Sequence, residues 1–155
     1  MKRAMFLIAL LAAVACMGPT GASAATKQKS HKFTSTIEQT MLSSTGNPPL
    51  SGTAVFVGTA NGTYGKAAES QTTTFQGGGA FTATGTVFAT RGSTSGRLSG
   101  TGTLNPDGST SITGSGKVLR GTGIYAHATG SYTFTGTQAK GSSVVTLHLK
   151  GTVKY

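Results

Sequence analysis

The chain has 155 residues, 13 Lys and Arg against 3 Asp and Glu for a formal net charge of +10, and 36% hydrophobic residues with only 10% charged. That length bounds it to one domain, and apolar residues at this level, set in period-two alternation, exclude a disordered glycine-rich tract. The basic excess is sparse, with no basic run and no interleaving with aromatics, so it excludes a nucleic-acid footprint. It leaves an acidic surface or a glycan as the partner that charge alone suggests.

Met1 to Ala24 has a basic start at Lys2 and Arg3, an apolar core from Ala4 to about Met17, and the small-residue ending Ala22-Ser23-Ala24. These are the three parts of a secretory signal peptide, and the apolar run is too short to serve as a membrane-spanning anchor. Cleavage after Ala24 predicts a product that is secreted or held in the periplasm or cell envelope. In a second reading Ala13-Val14-Ala15-Cys16 resembles the box of bacterial lipoproteins, which would make Cys16 a lipidation site. Cys16 is the one cysteine, so no disulfide can form within the chain.

Ala25 to His31 reads as a disordered basic lead-in, and the folded domain is expected over residues 32–155. From Lys32 the chain alternates, with Phe33, Ile37 and Met41 on one face and Thr34, Thr36, Glu38 and Thr40 on the other. Ser35 and Gln39 fall in the apolar phase, where buried polar atoms need partners. Ser43 to Leu50, with Pro48 and Pro49, reads as a loop. Ser51 to Ala60 is a second strand and Asn61 to Gly65 a turn, which is a better meaning for Asn61-Gly62-Thr63 than a glycosylation sequon. Lys66 to Gln76 is the least periodic segment, although Ala67, Glu69, Gln71 and Phe75 share a phase.

Gly77-Gly78-Gly79 precedes a clear strand, Ala80 to Thr90. Arg91 to Gly96 reads as a turn, and Arg97 to Leu104 as a strand. Asn105-Pro106-Asp107-Gly108 is the strongest local signal: proline presets a type I turn and glycine takes the left-handed position after it. Ser109 to Leu119 returns. Gly121-Thr122-Gly123 is expected as a bent corner, because glycine inside strand patterning marks a bulge or bend. Gly130 to Gln138 follows, then Ser143 to Tyr155 with Val145, Leu147, Leu149, Val153 and Tyr155 in phase.

Eight strands at short spacing, with no helical period between them, predict an all-β fold. A single eight-stranded antiparallel β-barrel satisfies them best, since closure removes the edges. An interior of this size is just filled by side chains or holds one small ligand. Gly85, Gly100, Gly102, Gly114, Gly116 and Gly136 fall in the inward phase beside Phe33, Ile37, Phe56, Phe81, Leu98, Ile112, Tyr132, Phe134 and Leu149. The inward glycines have two meanings: they leave a modest apolar cavity, or they make room for larger residues from facing strands.

Gly121 to Gly130, reading GTGIYAHATG, resembles a turn of the allene oxide cyclase and dirigent barrel superfamily, whose usual form is close to GGTGxYxxAxG. Arg120 stands at the first glycine and Thr129 where plant dirigents commonly carry arginine. The resemblance implies a closed barrel. The plant cyclases use an early-strand glutamate and a nearby proline, and Glu38 with Pro48 or Pro49 is loosely similar, though the surrounding residues do not match. Dirigents use pocket aspartates and arginines, which matching positions here lack.

Chemistry-bearing residues are few. Glu38 should face solvent by alternation, and Asp107 belongs to a turn. Glu69, if inward, would be a lone acid with a raised pKa, as general acid catalysis needs; a rim or surface position is the commoner outcome for such a residue. His31, His127 and His148 are scattered, and no spacing supports a metal site. No cofactor motif is present.

The expected function is binding of a small apolar molecule, with Gln39, Phe56, Phe81, Tyr132 and Phe134 as the candidate lining, or action through a surface partner, without catalysis. The alternatives are a cyclase or isomerase working through Glu69 or Glu38, and a small outer-membrane barrel. The last fits poorly with outward faces of Thr, Ser and Lys, because lipid-facing strands need an apolar band. Assembly into a homo-oligomer stays open.

Overall fold

The computed structural model describes residues 28–155. The leader, Cys16 and the cleavage position after Ala24 lie outside them. Eight strands follow in chain order: β1 (Ser30–Asn47), β2 (Ser51–Gly62), β3 (Gly65–Phe75), β4 (Ala80–Ala89), β5 (Gly92–Leu104), β6 (Thr110–Gly121), β7 (Thr129–Gln138) and β8 (Val144–Lys154), with one 3-10 turn at Gly123–Tyr125. Each is antiparallel to the next, and β1 pairs with β8, so the sheet closes as an eight-stranded barrel with no free edge. Among the described residues no helix is long and apolar enough to cross a membrane.

The topology gives the barrel two different ends. The start of β1, the end of β8 and the connections β2–β3, β4–β5 and β6–β7 lie at one, the terminal end. The other four hairpins form the far end. Among them Asn105 to Gly108 turns as its residues dictate: Gly108 sits at φ 83°, and its N–H donates to the Asn105 carbonyl at 2.9 Å. Asp107 Oδ1 accepts from the Ser109 hydroxyl at 2.7 Å and the Ser109 N–H at 2.9 Å, which holds its carboxyl below the usual range.

Three elements differ from their sequence expectation. The Ser43 to Leu50 loop is mostly strand, since β1 runs on to Asn47 and pairs with residues 51–55 of β2. A register shift between Met41 and Ser43 lets it continue, and β-compatible Ser and Thr carry it to the Pro48-Pro49 turn. Met41, expected inward, lies at this rim and is 46% exposed. The Arg91 to Gly96 turn is likewise strand: β5 begins at Gly92, with a bulge between Ser95 and Gly96, and Thr86 and Ser95 join their hydroxyls across the ladder at 2.9 Å. Third, the basic lead-in is ordered at its end. Ser30 and His31 belong to β1, and the His31 ring stacks on Tyr155 at 4.7 Å.

The core has two clusters. Ile37, Ala60, Phe134, Val145 and Leu147 are buried in the larger, with Phe56, Phe81, Leu98, Ile112, Tyr132 and Leu149 packed against them. Tyr125, Ala128 and Val153 form the smaller at the terminal end, with Phe33 beside them. Every residue of the expected lining is therefore in the interior. The inward glycines largely make room for rings. The Phe134 ring occupies the space a side chain at Gly114 would take, and the Tyr132 ring does the same over Gly116. Aromatic bulk on β7 thus replaces the missing bulk on β6, a close approach that only glycine permits.

Candidate functional site

The interior divides into two spaces separated by Gln71, Leu98, Phe134 and Leu147, which line both. Both meanings of the inward glycines hold in part: rings fill the space over Gly100, Gly114 and Gly116, and unfilled space remains on either side of Phe134.

The chamber toward the terminal end has a volume of about 150 Å³. Its cap is aromatic. Tyr125 is 7% exposed, and its ring centroid lies 5.1 Å from that of Tyr155 and 6.2 Å from that of Tyr64. Phe33 continues the series at 6.3 Å from both Tyr64 and Tyr132. The cap exists because Gly121-Thr122-Gly123 does not bend a strand, as the sequence suggested, but ends β6 and folds over the β4–β5 turn. The Thr122 N–H donates to the Ser93 carbonyl at 2.9 Å, the Ser93 N–H to Thr122 Oγ1 at 3.0 Å, and the Ile124 N–H to the Arg91 carbonyl at 3.1 Å. Gly123 sits at φ 60°, and a Cβ there would strike the Arg91 carbonyl oxygen. Glycine is required at this point for Tyr125 to reach inward.

Below the cap the walls are aliphatic, with Ile37, Ala60, Val87, Leu98 and Leu149. Among the described residues Glu69 is the one acidic residue of the lining, and no Lys, Arg or His lines the chamber. It sits on β3 between Gly58 of β2 and Val87 of β4, and is 5% exposed. Its Oε2 has no hydrogen-bond partner, and its Oε1 lies near Gly85, 3.7 Å from where a Cβ on that glycine would fall. Loss of water raises the Glu69 pKa from 4.5 to about 7, since burial penalises the ionised form. The rim position that the rarity of lone buried acids favoured for Glu69 is thus corrected: Glu69 is inward in the same phase as buried Gln71 and Thr73, the phase that alternation had given it with Phe75. Tyr132 faces the same chamber, its pKa pushed up to about 12 by burial and then by the Glu69 charge.

At the far end a wider mouth of about 580 Å³ is lined by Gln39, Phe56, Phe75, Phe81, Ile112 and Val145, among others. Gln39 is 4% exposed and its Oε1 lacks a partner. Gln71 and Thr73 satisfy each other in this wall, the Gln71 amide donating to Thr73 Oγ1 at 2.9 Å.

The five candidate lining residues are therefore split. Gln39, Phe56 and Phe81 belong to the far mouth, Tyr132 to the capped chamber, and Phe134 to both. Glu38 is exposed on the outer wall, registered against Thr59 and Thr146, while Pro49 lines the far mouth, so that pair is not brought together inside the barrel. His148 is outside, its Nδ1 3.1 Å from Thr36 Oγ1, and His127 leaves the 3-10 turn at φ 64°. Among the described residues no three His, Cys, Asp or Glu side chains gather to hold a metal ion.

Sequence reasoning missed Tyr125 and Tyr64 as chamber residues. Tyr125 stood inside a segment read as a corner, and Tyr64 inside a turn; an aromatic residue in each of two connections at one end of a barrel was the available signal. Comparison with known protein families, curated proteins and solved structures finds no match to this chain.

Proposed function

We propose that this barrel binds one small, largely apolar molecule in the capped chamber beneath Tyr125. The single observation that carries this reading is the unfilled space of about 150 Å³ between the aromatic cap and Phe134, in a barrel where rings cover the inward glycines Gly100, Gly114 and Gly116. Close packing is the rule in protein interiors, so retained space with a polar group aimed into it is the usual mark of a ligand site. The leader sequence supports export, which would set the barrel in the cell envelope or outside it. Thr82, Thr84, Thr133 and Thr152 on the outer wall support an aqueous setting over a lipid-facing one. The GTGIYAHATG turn keeps its resemblance to the allene oxide cyclase and dirigent barrels as a statement about architecture.

A second reading is acid–base chemistry in the same chamber. It is favoured by Glu69, whose pKa of about 7 lets it give or take a proton near neutrality. Isomerisation of a bound molecule is the reaction class that one acid and one phenol, Tyr132, can support without a cofactor.

Native mass spectrometry of the protein released gently from its own host tests the binding reading. A reproducible additional mass of a small organic molecule, lost when Leu98→Trp fills the chamber, is the expected result. A uniformly empty chain that also fails to take up toluene would overturn it.

A further inference from the structure

Glu69 is the one carboxyl group among the described residues that line the chamber, whose other polar residues, such as Ser35, Gln71, Thr86 and Ser95, are neutral. The chain carries 13 Lys and Arg against 3 Asp and Glu, yet among the described residues no Lys or Arg lines the chamber that holds the buried acid. A buried carboxylate normally has a cation or several donors beside it, and Glu69 Oε2 has neither. The same chamber is lined by a continuous series of rings. Phe134 lies 6.4 Å from Tyr132, Tyr132 6.3 Å from Phe33, Phe33 6.3 Å from Tyr64, and Tyr64 6.2 Å from Tyr125. Aromatic faces are electron-rich and attract cations, most strongly where water is excluded.

We propose that the molecule held in this chamber is a small organic ammonium ion, an amine whose apolar body is about the size of one ring, with its nitrogen at the Glu69 carboxylate. This rests on the binding reading above and deepens it. An ammonium group would give the Glu69 carboxylate a donor and form a charge-assisted hydrogen bond, the stronger kind. The rings would screen the rest of the cation. Its hydrocarbon part would take the aliphatic wall of Ile37, Val87, Leu98 and Leu149. Size agrees, because an apolar cavity of this volume accepts a benzene-sized molecule. A metal ion is a worse occupant: hard cations ask for several oxygen ligands, carboxylates above all, and among the described residues that line the chamber there is one carboxylate, the other side-chain oxygens belonging to neutral hydroxyls and the Gln71 amide. An anion would face an unshielded acid with no basic residue to meet it.

Three probes of one shape separate the possibilities: benzylamine, benzyl alcohol and toluene, titrated calorimetrically at pH 7.5 into the wild-type protein and into Glu69→Gln. In the wild type, benzylamine should bind about tenfold or more tighter than benzyl alcohol. In Glu69→Gln that preference should vanish, while toluene binds as before and so reports an intact chamber. Equal affinities for the amine and the alcohol in the wild type would overturn the ammonium assignment and leave the binding reading standing. So would an amine preference that survives Glu69→Gln. Binding of none of the three would overturn both.

Discussion

Gln39 and Glu69 face the barrel interior from either side of one glycine: Gly58 on β2 is registered against Gln39 on β1 and against Glu69 on β3. Each holds a buried oxygen without a partner. They look into different spaces, Gln39 into the far mouth and Glu69 into the capped chamber. Two unsatisfied polar atoms in one wall have a cost, and each makes a separate prediction.

For Glu69 the cost depends on pH. Its folded-state pKa is about 7 against an ordinary 4.5, so the folded protein holds a proton that the unfolded chain releases between those values. Stability therefore falls as pH rises through this window and levels off above it, by about 3 kcal/mol in total. Urea denaturation at pH 4.5, 6, 7 and 8.5 should show this decline in the wild type and a flatter profile in Glu69→Gln. Parallel profiles would mean that the carboxyl is hydrated. Asp107 acts in the opposite sense, since its pKa is lowered by Ser109: its contribution is present above the ordinary range and is lost as pH falls below it.

For Gln39 the remedy is apolar. Replacing a buried polar group by an apolar one of similar size removes an unmet hydrogen bond along with its desolvation. Gln39→Leu should leave stability unchanged or raise it by up to about 1 kcal/mol. A loss greater than about 2 kcal/mol in denaturant titration would show that the amide has a partner it needs.

The ring-over-glycine contacts can be tested by adding one methyl group. At Gly116 the new Cβ would meet the Tyr132 ring, so Gly116→Ala should destabilise by about 1–3 kcal/mol through overpacking. Gly102→Ala is the control. Its nearest neighbour, Thr110 Cγ2, would be 3.4 Å away, an ordinary contact, and thermal unfolding should be nearly unchanged.

Removing the cap should both destabilise and open. Tyr125→Ala deletes a ring that is 7% exposed and touches Tyr64 and Tyr155, at a cost of about 3 kcal/mol or more. Ligand release, followed by stopped-flow displacement, should also become faster than in the wild type. An unchanged release rate would place the ligand's exit at the far mouth.

The barrel was legible in the sequence because its strands alternate. Thr, Val, Phe and Tyr repeat with period two over β4, β6, β7 and β8, and the Asn105-Pro106-Asp107-Gly108 turn fixes a register. Most of the lining was legible for the same reason, Met41 excepted. What alternation left weak was β3. Glu69, Gln71 and Thr73 point inward while Ser70, Thr72 and Thr74 point outward, so both faces read as polar, and the shared phase of Ala67, Glu69, Gln71 and Phe75 did not by itself say that the acid is buried. The two bulges, at Met41/Ser43 and Ser95/Gly96, were hidden too, because a register shift is set by the neighbouring strands and not by local residues. The chamber itself needed three dimensions: it depends on the Phe134 ring lying over its registered neighbour Gly114 and over Gly100, and on Tyr125 returning over the end of the barrel.

The most direct measurement is an NMR titration of the isotope-labelled protein with benzyl alcohol, followed at the methyl groups. Binding in the capped chamber should give its largest shift changes at Ile37, Ala60, Val87, Leu98 and Leu149, which line it, with little at outward Val57 and Leu119. Changes confined to the outer wall, or none at millimolar probe, would contradict the account and leave the space beneath Tyr125 a packing defect.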